Sequence, residues 1–382
     1  MDKPSSSFDV AVVGGGAIGL AIAWRAAQCG FRVTALERGE PGGGASRVAA
    51  GMLAPVTEAT LAERAVLKLG LSSAQAYPAF VEELRATSGA DPSYLPCGTL
   101  VVARDRDEAE ALERELELRR GLGLAVQRLL PSEARRLEPS LAPSLRLAFL
   151  AEGDHVVDPR RLTAALVAAL ARAGVELRSG AEVAALEISS SGSVDGVRLV
   201  DGERIRAQQV VIAAGVWVID GVPEAARIPV HPIKGQLLRL HDPAGPGLLN
   251  RVLRLARGYL VPRGDGRYVL GATMEERGFD TSVTAGAVYE LLRDASELVP
   301  GISELVIDEL LAGLRPATPD NAPAIGPGVV PGLHWAVGHY RNGILLAPIT
   351  AELLARSLSG EELPELALPF APSRFVPSAV GA

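Results

Sequence analysis

The stretch that most constrains this chain is Phe8 to Gly51, FDVAVVGGGAIGLAIAWRAAQCGFRVTALERGEPGGGASRVAAG. Val10 to Val13 form a short apolar run, and Gly14, Gly16 and Gly19 follow at once in G-x-G-x-x-G spacing; a helical run to Cys29 and a second apolar run ending at Glu37 complete the unit. The order is strand, tight turn, helix, strand. In such a turn the first glycine permits the backbone conformation, the second lets the main chain approach a pyrophosphate, and the third lets helix and strand pack closely. The diphosphate then rests on unpaired amides at the helix N-terminus. Glu37 falls roughly 20 residues after the glycines, where an acid takes a ribose hydroxyl. A glycine triplet alone is equally a glycine-rich turn; strand, helix and acid in register make it a dinucleotide site.

With 382 residues the chain exceeds what one core usually carries, so two domains, or one interrupted by insertions, are expected. Hydrophobic residues make up 48%, yet no run approaches the roughly 18 to 20 apolar residues of a membrane span. Lys3 is the only basic residue before the first strand and Gly14 to Gly16 break any apolar leader, so no secretory signal is expected and the cytoplasm is the expected location. Cys29 and Cys97 show neither CxxC nor metal-ligand spacing; each reads as a buried structural thiol, and no metal is expected. A net charge of −7 with few aromatics argues against a nucleic-acid surface.

After Glu37, Pro41 to Gly51 is a glycine and alanine loop without an immediate third strand. It is either a flexible linker or a second loop whose amides approach a flat ring or phosphate, with Ser46 and Ala49 to Gly51 as contacts. Thr57 to Thr87 reads as a helix capped near Gly89. From Asp91 to Leu150 comes an insertion: a strand at Gly98 to Ala103, a charged helix at Arg106 to Arg120, and a loop around Pro131. Asp158 and Pro159 open an alanine-rich helix to Ala173, and Val175 to Glu187 alternates like strands. Val210 to Gly215 is an apolar strand ending in small residues, followed by Trp217; taken alone it is equally an ordinary buried strand.

A second insertion, His231 to Asp308, carries Tyr259 in GYLVPR, a strand at Val269 to Met274 and a helix at roughly Ala285 to Leu298. Arg315 follows an alternating run and precedes Pro316, so a strand-end side chain facing a cavity is expected. Finally Gly338 to Leu346 (GHYRNGILL) is a polar loop opening an apolar helix at Ala347 to Leu358, whose positive end suits the charge of a reduced flavin at N1 and the C2 carbonyl. The tail after Pro369 reads as loose.

VVGGGAIG at the start, AAGML at Ala49 to Leu53, GATM at Gly271 to Met274, AGLRP at Ala312 to Pro316 and GHYRNGILLAP at Gly338 to Pro348 together resemble the flavin-dependent D-amino acid oxidase superfamily, and within it the glycine oxidases associated with thiamine biosynthesis. The resemblance spans nearly the whole chain. It implies an α/β fold: a discontinuous Rossmann-like FAD-binding domain (1–90, 150–228 and 316–382) and an inserted α+β substrate domain on an antiparallel sheet (91–149 and 229–315). It also implies non-covalent FAD, an amino-acid substrate, O2 as oxidant, no membrane partner and a homo-oligomer, tetramer or dimer.

Carried over by residue, the resemblance makes Arg315 the bidentate partner of the substrate carboxylate and Tyr259 a second hydrogen bond to it. It sets Arg341 at the junction of flavin and substrate, and Met52 and Met274 as apolar walls. The implied cofactor contacts are Gly14, Gly16, Ala17, Ile18 and Gly19; Glu37 and Arg38; Ala45, Ser46, Ala50, Gly51 and Met52; Val183; Ala214, Gly215 and Trp217; and His339, Tyr340, Arg341, Asn342, Gly343, Ile344 and Leu345. One departure is Arg257, which stands two positions before Tyr259 where related enzymes can carry histidine, and it leaves the polarity of the entrance and the size of the substrate open. No histidine or carboxylate in these motifs stands as an obvious general base, and His339 reads as a flavin-loop residue. That favours hydride transfer from a neutral amine, giving an imine that is hydrolysed to glyoxylate and ammonia or passed to a partner enzyme. Competing readings are a D-amino acid dehydrogenase delivering electrons to quinone, a flavin domain acting on modified tRNA, and a non-catalytic flavin subunit. Retention of Arg315, Tyr259 and Arg341 argues against the last.

Overall fold

The computed structural model describes residues 7–376; Lys3 and residues 377–382 lie outside them. Phe8–Val13 is almost wholly buried, as a strand covered on both faces must be. It pairs in parallel with Val33–Glu37 on one side and Arg204–Ile212 on the other, and Val33–Glu37 pairs in parallel with Glu176–Ser179. Arg204–Ile212 has two further partners: its first half runs antiparallel to Val194–Leu199, and its second half parallel to Leu333–Val337. Against one face of this sheet lie the helices Ala17–Gln28, Arg64–Ser88, Pro159–Arg172 and Gly343–Leu358, sharing one apolar core around the fully buried Trp24, Leu69, Tyr77 and Leu346.

The second sheet runs Val306–Ala317, His231–His241, Arg267–Gly271, Gly258–Pro262, Val252–Leu255, Thr99–Ala103, Leu147–Ala151 and Gln127–Leu129. All its neighbours are antiparallel except Val252–Leu255 with Thr99–Ala103, the parallel pair at which the two inserted segments join. The helix Ala285–Leu298, capped by the Thr284 hydroxyl accepting from the Ala287 amide, packs under it.

Four local expectations are corrected. The helix expected from Thr57 begins at Arg64, and Ala54 to Glu63 are turns, because the peptide groups of Val56 and Thr57 bond elsewhere. The Pro131 loop is a helix, Pro131–Leu137, with proline at its first position and the Glu133 carboxylate accepting from the Leu130 amide. The last helix starts at Gly343 and holds Pro348. Proline there has no N–H for the Ile344 carbonyl, and the Tyr77 hydroxyl donates to that oxygen instead at 3.1 Å, while the Ser73 hydroxyl donates to the Leu345 carbonyl at 2.6 Å. Far from loose, the tail to Phe375 folds in 3-10 turns with Phe370 fully buried.

The two thiols also part company. Cys29, expected to be buried, caps the first helix and is exposed; Cys97 is half-buried, and burial pushes its thiol up to about 11. Titration with a thiol reagent at pH 7.5 is expected to label Cys29 fast and leave Cys97 unmodified in the native protein, since the thiolate is the reactive form. Equal labelling of both by mass spectrometry would contradict this.

Candidate active site

Between the first sheet and the second lies a cavity of about 1420 Å³. That is larger than the roughly 300–1,000 Å³ of a drug-sized pocket and suits a dinucleotide plus a small substrate. At its nucleotide end, Gly14 has φ +112°, a value side chains rarely adopt, and any Cβ there would overlap the Ala213 carbonyl. The Gly15 amide donates to Glu37 at 2.7 Å and the Gly39 amide to its other oxygen at 2.9 Å, so the Glu37 carboxylate ties the glycine turn to the second strand. An ionised carboxylate has about four lone-pair sites, leaving capacity for a ribose hydroxyl. The Ser46 hydroxyl accepts from the Ala17 amide at 2.9 Å, which docks the second glycine-rich loop against the first helix turn. Arg38 stacks on Trp217 with its guanidinium 3.5 Å from the ring centroid.

The last helix enters the same cavity. Asn342 offers no side-chain cap, so the first amides of Gly343–Leu358 keep their positive end free. His339 is buried, with Nε2 and the Thr350 hydroxyl 3.0 Å apart; desolvation pushes it down to about 3, so it is neutral at physiological pH and holds the loop. Tyr340, at φ +48°, donates its hydroxyl to the Met274 sulfur at 3.2 Å.

At the substrate end, strand register decides which side chains share the cavity face. Arg254 stands opposite Tyr259, Tyr259 opposite Gly271, Gly271 opposite Leu237 and Leu237 opposite Leu311; two and four residues further along the outer strands, Gly235 faces Gly313 and Ile233 faces Arg315. Side chains at alternate strand positions point the same way, so Arg254, Tyr259 and Arg315 belong to one face. Gly235 is what lets Arg315 lie flat: a Cβ at that position would overlap the guanidinium. Arg315 Nη1 donates to the Thr273 carbonyl at 3.1 Å and to the Lys234 carbonyl at 3.4 Å, and among the described residues no carboxylate pairs with it. Burial pushes the Tyr259 phenol up, opposed by Arg315 against its hydroxyl, so it remains a neutral donor.

Met52 and Met274 line the cavity, Met274 being 64% exposed toward it. So do Ile18, Ala45, Ala50, Gly51, Val183, Ala214 and Gly215. Two expected contacts do not. Leu345 is buried in the helix core beneath the site, and Gly19 lies behind the turn, where a Cβ would overlap the Gly14 carbonyl. Arg341 lines the cavity with its charge already paired, to Glu58 at 3.0 Å and Glu63 at 2.5 Å. Sequence reading missed Glu58 and Arg254, both in the cavity wall and ion-paired to each other. A signal for Arg254 was present, a single arginine within the apolar alternation of Val252–Leu255; for Glu58 there was none, since it sat in a segment that reads as helix.

The pyrophosphate turn, the ribose acid, the free helix N-terminus and a cavity of this size fit FAD. The family described as DAO, FAD dependent oxidoreductase, matches residues 9–357. A glycine oxidase of Geobacillus kaustophilus is 38% identical over 97% of each chain, and a glycine oxidase of Pseudomonas putida 36% identical over 96% of this chain and 98% of its own. A bifunctional ThiO/ThiG protein of Synechocystis is 37% identical over 97% of this chain, which spans only 54% of that longer protein. The crystal structure of the Geobacillus kaustophilus glycine oxidase superposes with a TM-score of 0.89 at 36% identity, covering 98% of this chain and all of the other. Fold, cavity and likeness agree, and the chain belongs to the DAO family of FAD-dependent oxidoreductases.

Proposed function

We propose that this protein oxidises glycine, and with it sarcosine and small D-amino acids, to the imine, with O2 reduced to hydrogen peroxide and the imine hydrolysed to glyoxylate and ammonia. The observation that carries the reading is Arg315: a guanidinium on the cavity wall bonded to two backbone carbonyls and set against the Tyr259 hydroxyl, with no protein counter-ion among the described residues. A planar fork of this kind suits a carboxylate. The two carbonyls fix its orientation, and Tyr259 adds a neutral donor beside it. When bound, FAD supplies the acceptor that takes hydride from the α-carbon and passes both electrons to O2. The chain holds the carboxylate so that the α-carbon has one orientation; among the described residues His339 is neutral and bonded to Thr350, Glu58 is committed to two arginines, and Glu275 is held by Thr273 and Gln236, so none of these serves as a base to that carbon. The substrate amine therefore enters neutral, and its lone pair drives the departure of hydride.

In this reading residues 1–90, 150–228 and 316–382 hold FAD and residues 91–149 and 229–315 hold the substrate; the separate sheets support the division. Delivery of the imine to thiamine thiazole synthesis is supported by the likeness to the ThiO/ThiG protein. A cytoplasmic homo-oligomer, tetramer or dimer, is part of the same proposal, and no described helix is long and apolar enough to cross a membrane.

Peroxide release measured across glycine, sarcosine, D-alanine, D-proline and D-phenylalanine tests the reading. Met52, Met274 and Tyr259 wall the space around Arg315, and each misfitted methylene costs about 1 to 3 kcal/mol. Glycine or sarcosine is expected to lead in kcat/KM. Preference for D-phenylalanine would overturn the substrate assignment, and dye reduction without peroxide would move electron delivery to a quinone.

A further inference from the structure

Of the guanidiniums on the cavity wall, two are cancelled by one carboxylate. Glu58 pairs with Arg341 Nε at 3.0 Å through one oxygen and with Arg254 through the other. Arg341 has a second acid, Glu63, whereas Arg254 has Glu58 alone among the described residues. Arg254 stands directly opposite Tyr259 in the sheet, where Cβ atoms on one face are about 4.5–5.5 Å apart, so its charge is one side chain away from the Tyr259 and Arg315 pair.

The position of Glu58 is built rather than incidental. It lies in turns between Met52–Leu53 and the helix from Arg64, a segment with no ladder of its own. The two residues before it are held by two buried charged side chains from distant parts of the chain. The Asp154 carboxylate accepts from the Val56 amide at 3.0 Å and the Thr57 amide at 2.7 Å; Arg119 donates to the Val56 carbonyl at 3.1 Å and the Thr57 carbonyl at 2.6 Å. Asp154 and Arg119 are 0% and 2% exposed. Charges so deeply buried are costly unless every bond is made, and these spend theirs on the peptide groups that aim Glu58 into the cavity.

We propose that Glu58 is a specificity-determining residue: it occupies Arg254 and opposes any second anionic group on the substrate, so that amino acids with one carboxylate are accepted and those with two are rejected. The proposal rests on the reading of Arg315 as the carboxylate site. Near Arg315 a lone carboxylate finds a free guanidinium, whereas a second carboxylate on the amine or the side chain meets Glu58 and an arginine already neutralised. Like-charge juxtaposition of this kind is a common means of rejecting wrong partners.

The test compares iminodiacetate, an amine flanked by two carboxylates, with glycine as substrates, and malonate with acetate as unreactive ligands titrated into the FAD-loaded protein by calorimetry. Glu58→Gln keeps the shape and removes the charge. In that variant the iminodiacetate-to-glycine ratio of kcat/KM is expected to rise at least about tenfold, and malonate to tighten at least about tenfold relative to acetate. Adding Arg254→Met to Glu58→Gln is expected to abolish both gains, and Arg254→Met alone to weaken malonate relative to acetate. Unchanged ratios in flavin-loaded Glu58→Gln protein would overturn the proposal, as would gains that persist in the double variant. If the wild-type protein turns over neither glycine nor sarcosine, the substrate reading fails, and the malonate and acetate titrations still judge Glu58.

Discussion

Replacing Arg315 with leucine is expected to raise the KM for glycine at least about a hundredfold while leaving FAD content unchanged. Among the described residues the side chain has no ion pair to lose, so its removal exposes no buried carboxylate there, and its bonds go to the carbonyls of Thr273 and Lys234 and to the Tyr259 hydroxyl. What disappears is a charge-assisted bidentate contact to the substrate, worth about 2 to 3 kcal/mol or more, which is about a hundredfold in affinity. Met52 and the residues of the FAD cradle at Gly14, Glu37 and Ser46 are held by bonds that do not involve that guanidinium. Steady-state kinetics with bound flavin measured by absorbance check the expectation, and an Arg315→Leu enzyme with unchanged constants would remove the carboxylate clamp from the mechanism.

The second large effect is expected at a residue that does not touch the cavity. Gly19→Ala should lower thermal stability and strip the protein of most of its FAD. The added Cβ would overlap the Gly14 carbonyl, with the Ala213 side chain also close by, and a backbone carbonyl cannot swing aside as a long side chain can. Overpacking typically costs about 1 to 3 kcal/mol. Here the relaxation must lift the helix Ala17–Gln28 from the turn at Gly14, moving the amides on which a pyrophosphate depends. For a domain of this size each kcal/mol moves Tm by about 2–4 °C. A Gly19→Ala protein with wild-type flavin content and Tm would show that the third glycine is dispensable.

The contrast between these two residues marks the boundary between local and tertiary information. The glycine turn, the strand up to Glu37, the Asp158 cap with Pro159 behind it, and the helix Ala285–Leu298 were legible because each is determined by neighbours a few residues away: turn conformation, capping oxygens and apolar periodicity. The last helix was legible in existence and misjudged in start, because Pro348 argues against helix before it and the compensating Tyr77 hydroxyl arrives from 267 residues away in sequence.

Glu58 shows the other side. Its segment reads as the opening of a helix, and nothing in the neighbouring residues says otherwise. The competing partners are Arg119 and Asp154, more than sixty and more than ninety residues away, and they take the peptide groups that a helix would have used. In the same way Arg315 alone does not say that Gly235 must be bare for its guanidinium to lie flat, nor Arg254 that Glu58 cancels it. The sequence by itself determined that a dinucleotide turn exists, where its strands and helices lie, and which motifs resemble a flavoenzyme. Only the tertiary structure decided that Arg254 and Arg341 are paired while Arg315 has no carboxylate among the described residues, because an ion pair depends on which two side chains the folded sheets bring within a few ångströms, and no spacing along the chain encodes that distance.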